Sequence, residues 1–221
     1  MNYIDLYEEL LLGFDARVLL EKKDQLWDCK RKNDYLLNTD VHQPFSTDTN
    51  VWPTIFNFYN INKPEYTGFY QDTWEDYNIL KHYCTLYSLS NRVSFYIICI
   101  SLIYSCCNDN EKELWQSFLS GYNSNNNEYS LSKYSLTHSI KKDWIRIGFD
   151  VSDFWGLSAL SNIHKSIKEK DTAKSLFKRK LNKYHLFSIL DDSKNYKIYA
   201  NKEFKLHSPF FLYSIWLCDS I

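Results

Sequence analysis

Apolar residues near the start of the chain recur at three- and four-residue spacing: Ile4, Leu6, Tyr7, Leu10, Leu11, Phe14, Val18 and Leu19. That period predicts an amphipathic helix over residues 3–26. Gly13 weakens its middle by roughly 1 kcal/mol relative to Ala. Residues 28–50 are polar and contain Pro44, which predicts a loop around a short element. Thr47, Asp48 and Thr49 offer an N-cap for a helix running to about Tyr59, with Pro53 tolerated in its first turn. Asn60-Ile61-Asn62-Lys63-Pro64 ends it. Two long helices are expected next, over 70–88 and 90–107, joined at Ser90-Asn91-Arg92. The second holds Val93, Phe95, Ile97, Ile98, Ile100, Leu102 and Ile103 and is apolar around most of its circumference, so it is expected at the centre of a domain. Asp109 or Asn110 caps a further helix over 110–121.

Gly121-Tyr122-Asn123-Ser124-Asn125-Asn126-Asn127 is a polar punctuation mark and the best boundary in the chain. Beyond it the period changes. Ile145-Arg146-Ile147-Gly148-Phe149-Asp150-Val151 alternates as a strand does. Residues 164–182 are basic and read as helical, at least in part. Lys197-Ile198-Tyr199 and Phe210 to Leu217 read as late strands. Helices followed by strands predict an α+β protein. The expected organisation is a helical, acidic N-terminal part over 1–122 and a basic α+β part over 129–221, packed as one compact unit.

Charge sharpens this division. Residues 1–128 carry 18 acids and 10 bases, a net of −8, and residues 129–221 carry 9 acids and 16 bases, a net of +7, which together return the whole-chain value of −1. Such asymmetry speaks of partners more than of fold. The two halves either neutralise each other or present surfaces of opposite sign. With 18 Tyr, 14 Phe and 7 Trp, much of the core must be built from rings, and the excess of Tyr also suits a binding surface. Only 5 Gly are present, with no GxGxxG and no GxxxxGK[ST], so no nucleotide cofactor is expected. The start, Met1 to Glu9, carries acids where a secretory signal needs a basic flank. The apolar run from Val93 to Tyr104 is too short for a bilayer, which takes about 20 residues. The expectation is therefore a cytoplasmic protein with no membrane partner. Cys29, Cys84, Cys99, Cys106, Cys107 and Cys218 include no CxxC pair and are expected as buried, reduced thiols.

Four constellations invite chemistry. Asp192 followed by Glu203-Phe204-Lys205 resembles the metal site of restriction-type nucleases, in which carboxylates bind Mg²⁺ and a Lys helps to activate water. This makes a metal-dependent nuclease or hydrolase the alternative reading. Asp150 and Asp153, three apart, either reach one cation together or satisfy turn backbone. The histidines 42, 82, 138, 164, 185 and 207 follow no metal-binding spacing, although His185 and His207 form an acid–base pair if the fold brings them together. The basic run from Lys165 to Lys183 contains only Phe177 as a stacking ring, so direct nucleic-acid binding is not expected. No metal site and no catalytic residue is assigned.

The C-terminal third has a cadence of its own: Gly148-Phe149-Asp150-Val151-Ser152-Asp153, then Gly156 to Asn162, Leu181 to Phe187, and His207-Ser208-Pro209-Phe210-Phe211. Over roughly residues 144–217 it resembles immunity proteins encoded beside bacterial polymorphic toxins, including those of contact-dependent growth inhibition systems. The resemblance implies a cytoplasmic protein that binds a cognate toxin domain, often a nuclease, and blocks its active site without catalysis or cofactor. Nuclease domains tend to be basic because they approach phosphates, and the acidic half suits such a partner. Within that half, Tyr70-Gln71-Asp72-Thr73-Trp74-Glu75-Asp76-Tyr77 combines three carboxylates with three rings and no base. Asp72, Glu75 and Asp76 fall three or four apart and share a face if helical. Trp74 adds an apolar anchor of the kind that dominates interfaces. Asp72, Trp74, Glu75 and Asp76 are the expected partner-binding residues; the alternative is that the acids only solvate and start a helix.

Overall fold

The computed structural model describes residues 8–18, 77–91, 95–123, 140–154, 156, 158–160 and 176–221. They form four strands, β1 (Glu9–Val18), β2 (Phe95–Ile103), β3 (Ile145–Asp153) and β4 (Phe210–Ser220). Three helices accompany them, α1 (Tyr77–Asn91), α2 (Asp109–Asn123) and α3 (Leu190–Glu203). The strands make one sheet in the order β1-β2-β4-β3, with every neighbouring pair antiparallel. The protein is thus mixed α+β, and the sheet draws two strands from each side of the 122–128 boundary.

β2 occupies a central position, where the sequence predicted a helix over 90–107. Eight of its nine residues are buried; α1 packs against it and a neighbour pairs along each edge. A strand buried on both faces has no polar alternation, so its apolar run imitates a buried helix. The β-branched Ile97, Ile98, Ile100 and Ile103 favour the extended form.

β1 corrects the expectation of a helix over 3–26 and, with β2, that of a helical N-terminal part. Its register slips between Leu11, opposite Ser101, and Gly13, opposite Ile100. The extra residue of this bulge breaks strict alternation, and the phase slip reads as three- and four-residue spacing. The remaining positions of the expected 3–26 helix, and the helix expected at 51–59, lie outside the described residues.

α1 ends at the predicted joint, and it turns Ile79, Leu80, Tyr83 and Cys84 inward against β1 and β2. The cap of α2 is Asn108, one residue before the expected Asp109 or Asn110: Asn108 Oδ1 accepts the Glu111 N–H at 2.9 Å, and Glu111 Oε2 accepts the Asn108 N–H at 2.9 Å. This is a reciprocal capping box. α3 overturns the strand expected at Lys197-Ile198-Tyr199. Its Leu190, Ser193, Tyr196 and Ala200 are buried at helical spacing. Leu190, Tyr196 and Ala200 meet Phe149, Val151, Phe210 and Leu212 of the sheet in a second apolar cluster.

β3 and β4 match their predicted positions. A second bulge, between Arg146 and Gly148, lets the 182–187 segment close on β3, with Phe149 and Phe187 exchanging both backbone hydrogen bonds at 2.8 and 2.9 Å. A Cβ at Gly148 would stand 2.6 Å from the Leu186 Cβ and 2.8 Å from the Phe187 carbonyl oxygen, so the approach requires glycine.

Candidate functional site

Tyr77 is the last ring of the acidic aromatic stretch and the first residue of α1. Its ring lies 5.7 Å from Phe14 of β1 and 5.7 Å from Trp144, and Phe14 meets Trp144 edge-on at 5.4 Å. β1 and β3 are opposite edges of the sheet, about 14 Å apart at the usual strand spacing. The turn before β3 therefore folds over one face to bring Trp144 to Phe14. That turn is closed by the Trp144 N–H donating to the Lys141 carbonyl at 3.2 Å. The same turn sets the Lys141 ammonium 4.6 Å from the Tyr77 ring centre and 5.6 Å from that of Trp144.

A carboxylate completes the cluster. The Tyr77 hydroxyl donates to Asp219 Oδ2 at 3.1 Å, and Lys81, one helical turn on, pairs with the same oxygen at 2.5 Å. Burial, then the neighbouring Asp219 charge and its hydrogen bond, hold the Tyr77 phenol above its ordinary range, so it remains a donor. Burial pushes the Asp219 carboxyl up, but the hydrogen bonds from Lys81, the Ser220 N–H and Tyr77 outweigh it and leave it below the ordinary value. The hydrogen bond to Asp219 raises Lys81 in turn. Chemically this is a half-buried Tyr77 ring and a buried Trp144 ring whose faces attract one cation, beside a firmly ionised carboxylate.

Asp72, Trp74, Glu75 and Asp76 lie outside the described residues, although Asp76 is bonded directly to Tyr77. The other sequence candidates are dispersed. Asp192 sits in the first turn of α3 and Glu203 at its end, eleven residues on, roughly 16 Å at the helical rise. Asp192 pairs with Lys180 at 2.5 Å, and Glu203 has its nearest cation, Lys202, at 3.9 Å. The two carboxylates share no cation. Asp150 and Asp153 point to opposite faces of β3. Asp150 accepts from Ser158 Oγ at 2.8 Å, while Asp153, 2 % exposed, faces His207 Nδ1 at 3.1 Å. His185 adjoins Leu186, which packs at Gly148, whereas His207 faces Asp153, five residues or about 16 Å farther along β3. Among the described residues, no three metal-type ligands converge.

Of the cysteines in the described residues, Cys84, Cys99 and Cys107 are buried and all five are free thiols. Burial pushes Cys107 up to about 12 and raises Cys84 and Cys99 as well, which removes thiolate character at neutral pH. A groove of about 360 Å³ runs between α2 and the turn after α3, past Asn108, Leu114, Asn201 and Pro209. Two of its three amides are engaged internally: Asn108 caps α2, and Asn201 Oδ1 accepts from Ser208 Oγ and the Phe210 N–H. No helix among the described residues is long and apolar enough to cross a membrane.

One polar centre escaped sequence reasoning altogether. Glu9, its side chain 6 % exposed, accepts from Ser101 Oγ at 2.5 Å, Ser214 Oγ at 2.9 Å and Trp216 Nε1 at 3.1 Å, with Arg146 at 3.6 Å. All four strands contribute to it. The Arg146–Gly148 bulge turns Arg146 to the Glu9 side, opposite Trp216. A second buried pair, Lys197 with Glu111 at 2.7 Å, ties α3 to the cap of α2.

Comparison of the chain with known protein families, with curated proteins and with solved structures finds no match.

Proposed function

We propose that this protein is a cytoplasmic immunity protein, which binds a cognate toxin domain, a nuclease, and blocks its active site without catalysis of its own. The observation that carries the reading is the anchoring of Tyr77. The densest acidic aromatic stretch of the chain ends in a ring held by Phe14, Trp144 and Asp219. An acidic segment tethered to an ordered aromatic cluster pairs electrostatic attraction with an apolar anchor, which is how interfaces combine fast capture with slow release. The net of −8 over residues 1–128 extends the attraction to a basic partner. The cadence over 144–217 supports the same class of function.

The test is inhibition. The C-terminal domain of a large secreted effector encoded beside this gene is assayed for nuclease activity with increasing amounts of this protein. Stoichiometric loss of activity, ending at one equivalent, is expected. Undiminished activity at tenfold excess rejects the proposal.

A further inference from the structure

We propose that the faces of Tyr77 and Trp144 form a receptor for a cationic side chain of a protein partner, and that Lys141 fills this receptor as an internal ligand in the unbound chain. The receptor stands on geometry alone. That its natural occupant is a Lys or Arg of a partner rests on the protein-binding reading above.

Two rings converge on one ammonium, at 4.6 and 5.6 Å, both inside the roughly 6 Å within which the negative face of an aromatic ring attracts a cation. Phe14 buttresses both rings, edge-on to Trp144 at 82° and tilted at 56° to Tyr77, so the pair is organised before any ligand arrives. Asp219 fixes the edge of Tyr77 through its hydroxyl and adds negative charge there. Lys81 also lies 5.9 Å from the Tyr77 ring, but its charge is answered by Asp219 at 2.5 Å. Lys141 differs. It is held by a main-chain turn and its side chain is exposed, so the ammonium leaves the rings by rotation about its own side-chain bonds while the turn stays closed. An anionic occupant would face the negative ring faces and Asp219, whereas a cation replaces like with like.

A contact between an exposed ammonium and two rings, Tyr77 half-buried and Trp144 buried beneath it, is worth roughly a two- to fivefold preference for the occupied state. A competing cation must overcome that occupancy, so removing Lys141 should tighten its binding about three- to sixfold. The probe is tetramethylammonium chloride, titrated into the full chain and followed by NMR, with sodium chloride as the ionic-strength control. In the free protein the Lys141 ε-methylene protons should lie upfield through the ring currents and return toward their ordinary position as the probe binds. Lys141→Ala should bind the probe about three- to sixfold tighter than the parent, and Lys142→Ala, at the exposed next position, should match the parent. Ordinary Lys141 shifts in the free protein, equal affinity in the parent and Lys141→Ala, or an equal gain in Lys142→Ala would each overturn the receptor. Because the probe is not a protein, the result is independent of any toxin: a working receptor with no toxin association would reject the proposed function alone.

Discussion

Glu9 and Asp219 are both carboxylates set beside an aromatic ring and a cation, yet they sit in opposite relations to water. Glu9 lies within the sheet and is met by two hydroxyls, an indole N–H and Arg146. Asp219 lies at the rim, its side chain 28 % exposed, and holds Tyr77 and Lys81. In the interior a carboxylate that loses its partners has no water to replace them, so its bonds fix the register of all four strands. At the rim a lost bond is restored by solvent, so the same groups can be exchanged for those of a partner. The first carboxylate is closed to water and the second meets water at the rim.

This contrast breaks first at Glu9. Glu9→Ala removes the acceptor of the buried Ser101 and Ser214 hydroxyls and one of the two acceptors of the Trp216 indole, which keeps Ser101 Oγ at 3.3 Å, and leaving buried donors unsatisfied costs about 1–3 kcal/mol. Urea denaturation should show a loss of that order. A loss under about 0.5 kcal/mol would mean that the network behaves as surface.

Asp219→Asn sharpens the other side. The variant should lose well under 1 kcal/mol, as exposed ion pairs do. Asp219 is held below its ordinary carboxyl value, so its contribution is present above about pH 4 and fades as pH falls through the lower folded value. The parent should therefore lose slightly more stability than Asp219→Asn between pH 5 and pH 2. Parallel curves for the two proteins would show that the rim pair contributes nothing in solution.

What the sequence disclosed follows from how local each feature is. β4 and α2 were legible because a β-rich apolar run and a polar start before a periodic segment carry their own signals. β3 was legible because its alternation survives downstream of its bulge. β1 and β2 were misread for two physical reasons: a bulge at Leu12 shifted the phase of one, and burial on both faces erased the alternation of the other. α3 hid behind Lys197-Ile198-Tyr199, whose middle residue is exposed on a helix that buries Tyr196 and Ala200 instead. The Glu9 centre was illegible because its members, from residues 9, 101, 146, 214 and 216, meet only once the register of four strands is set. One member of the rim site was visible: Tyr77 stood out in its acidic stretch, whereas Phe14, Lys141, Trp144 and Asp219 join it only through the fold. The spacing of Asp192, Glu203 and Lys205 suggested a metal site that a helix pulls apart.

The most direct test of partner capture is the association rate with the toxin domain, measured by stopped flow at low and moderate salt for the parent and for the triple variant Asp72→Ser, Glu75→Ser, Asp76→Ser. Electrostatic steering predicts fast association for the parent that slows steeply with salt, and a slower, nearly salt-independent rate for the variant. Equal rates for the two proteins at both salt concentrations would contradict capture through the acidic stretch that leads into Tyr77.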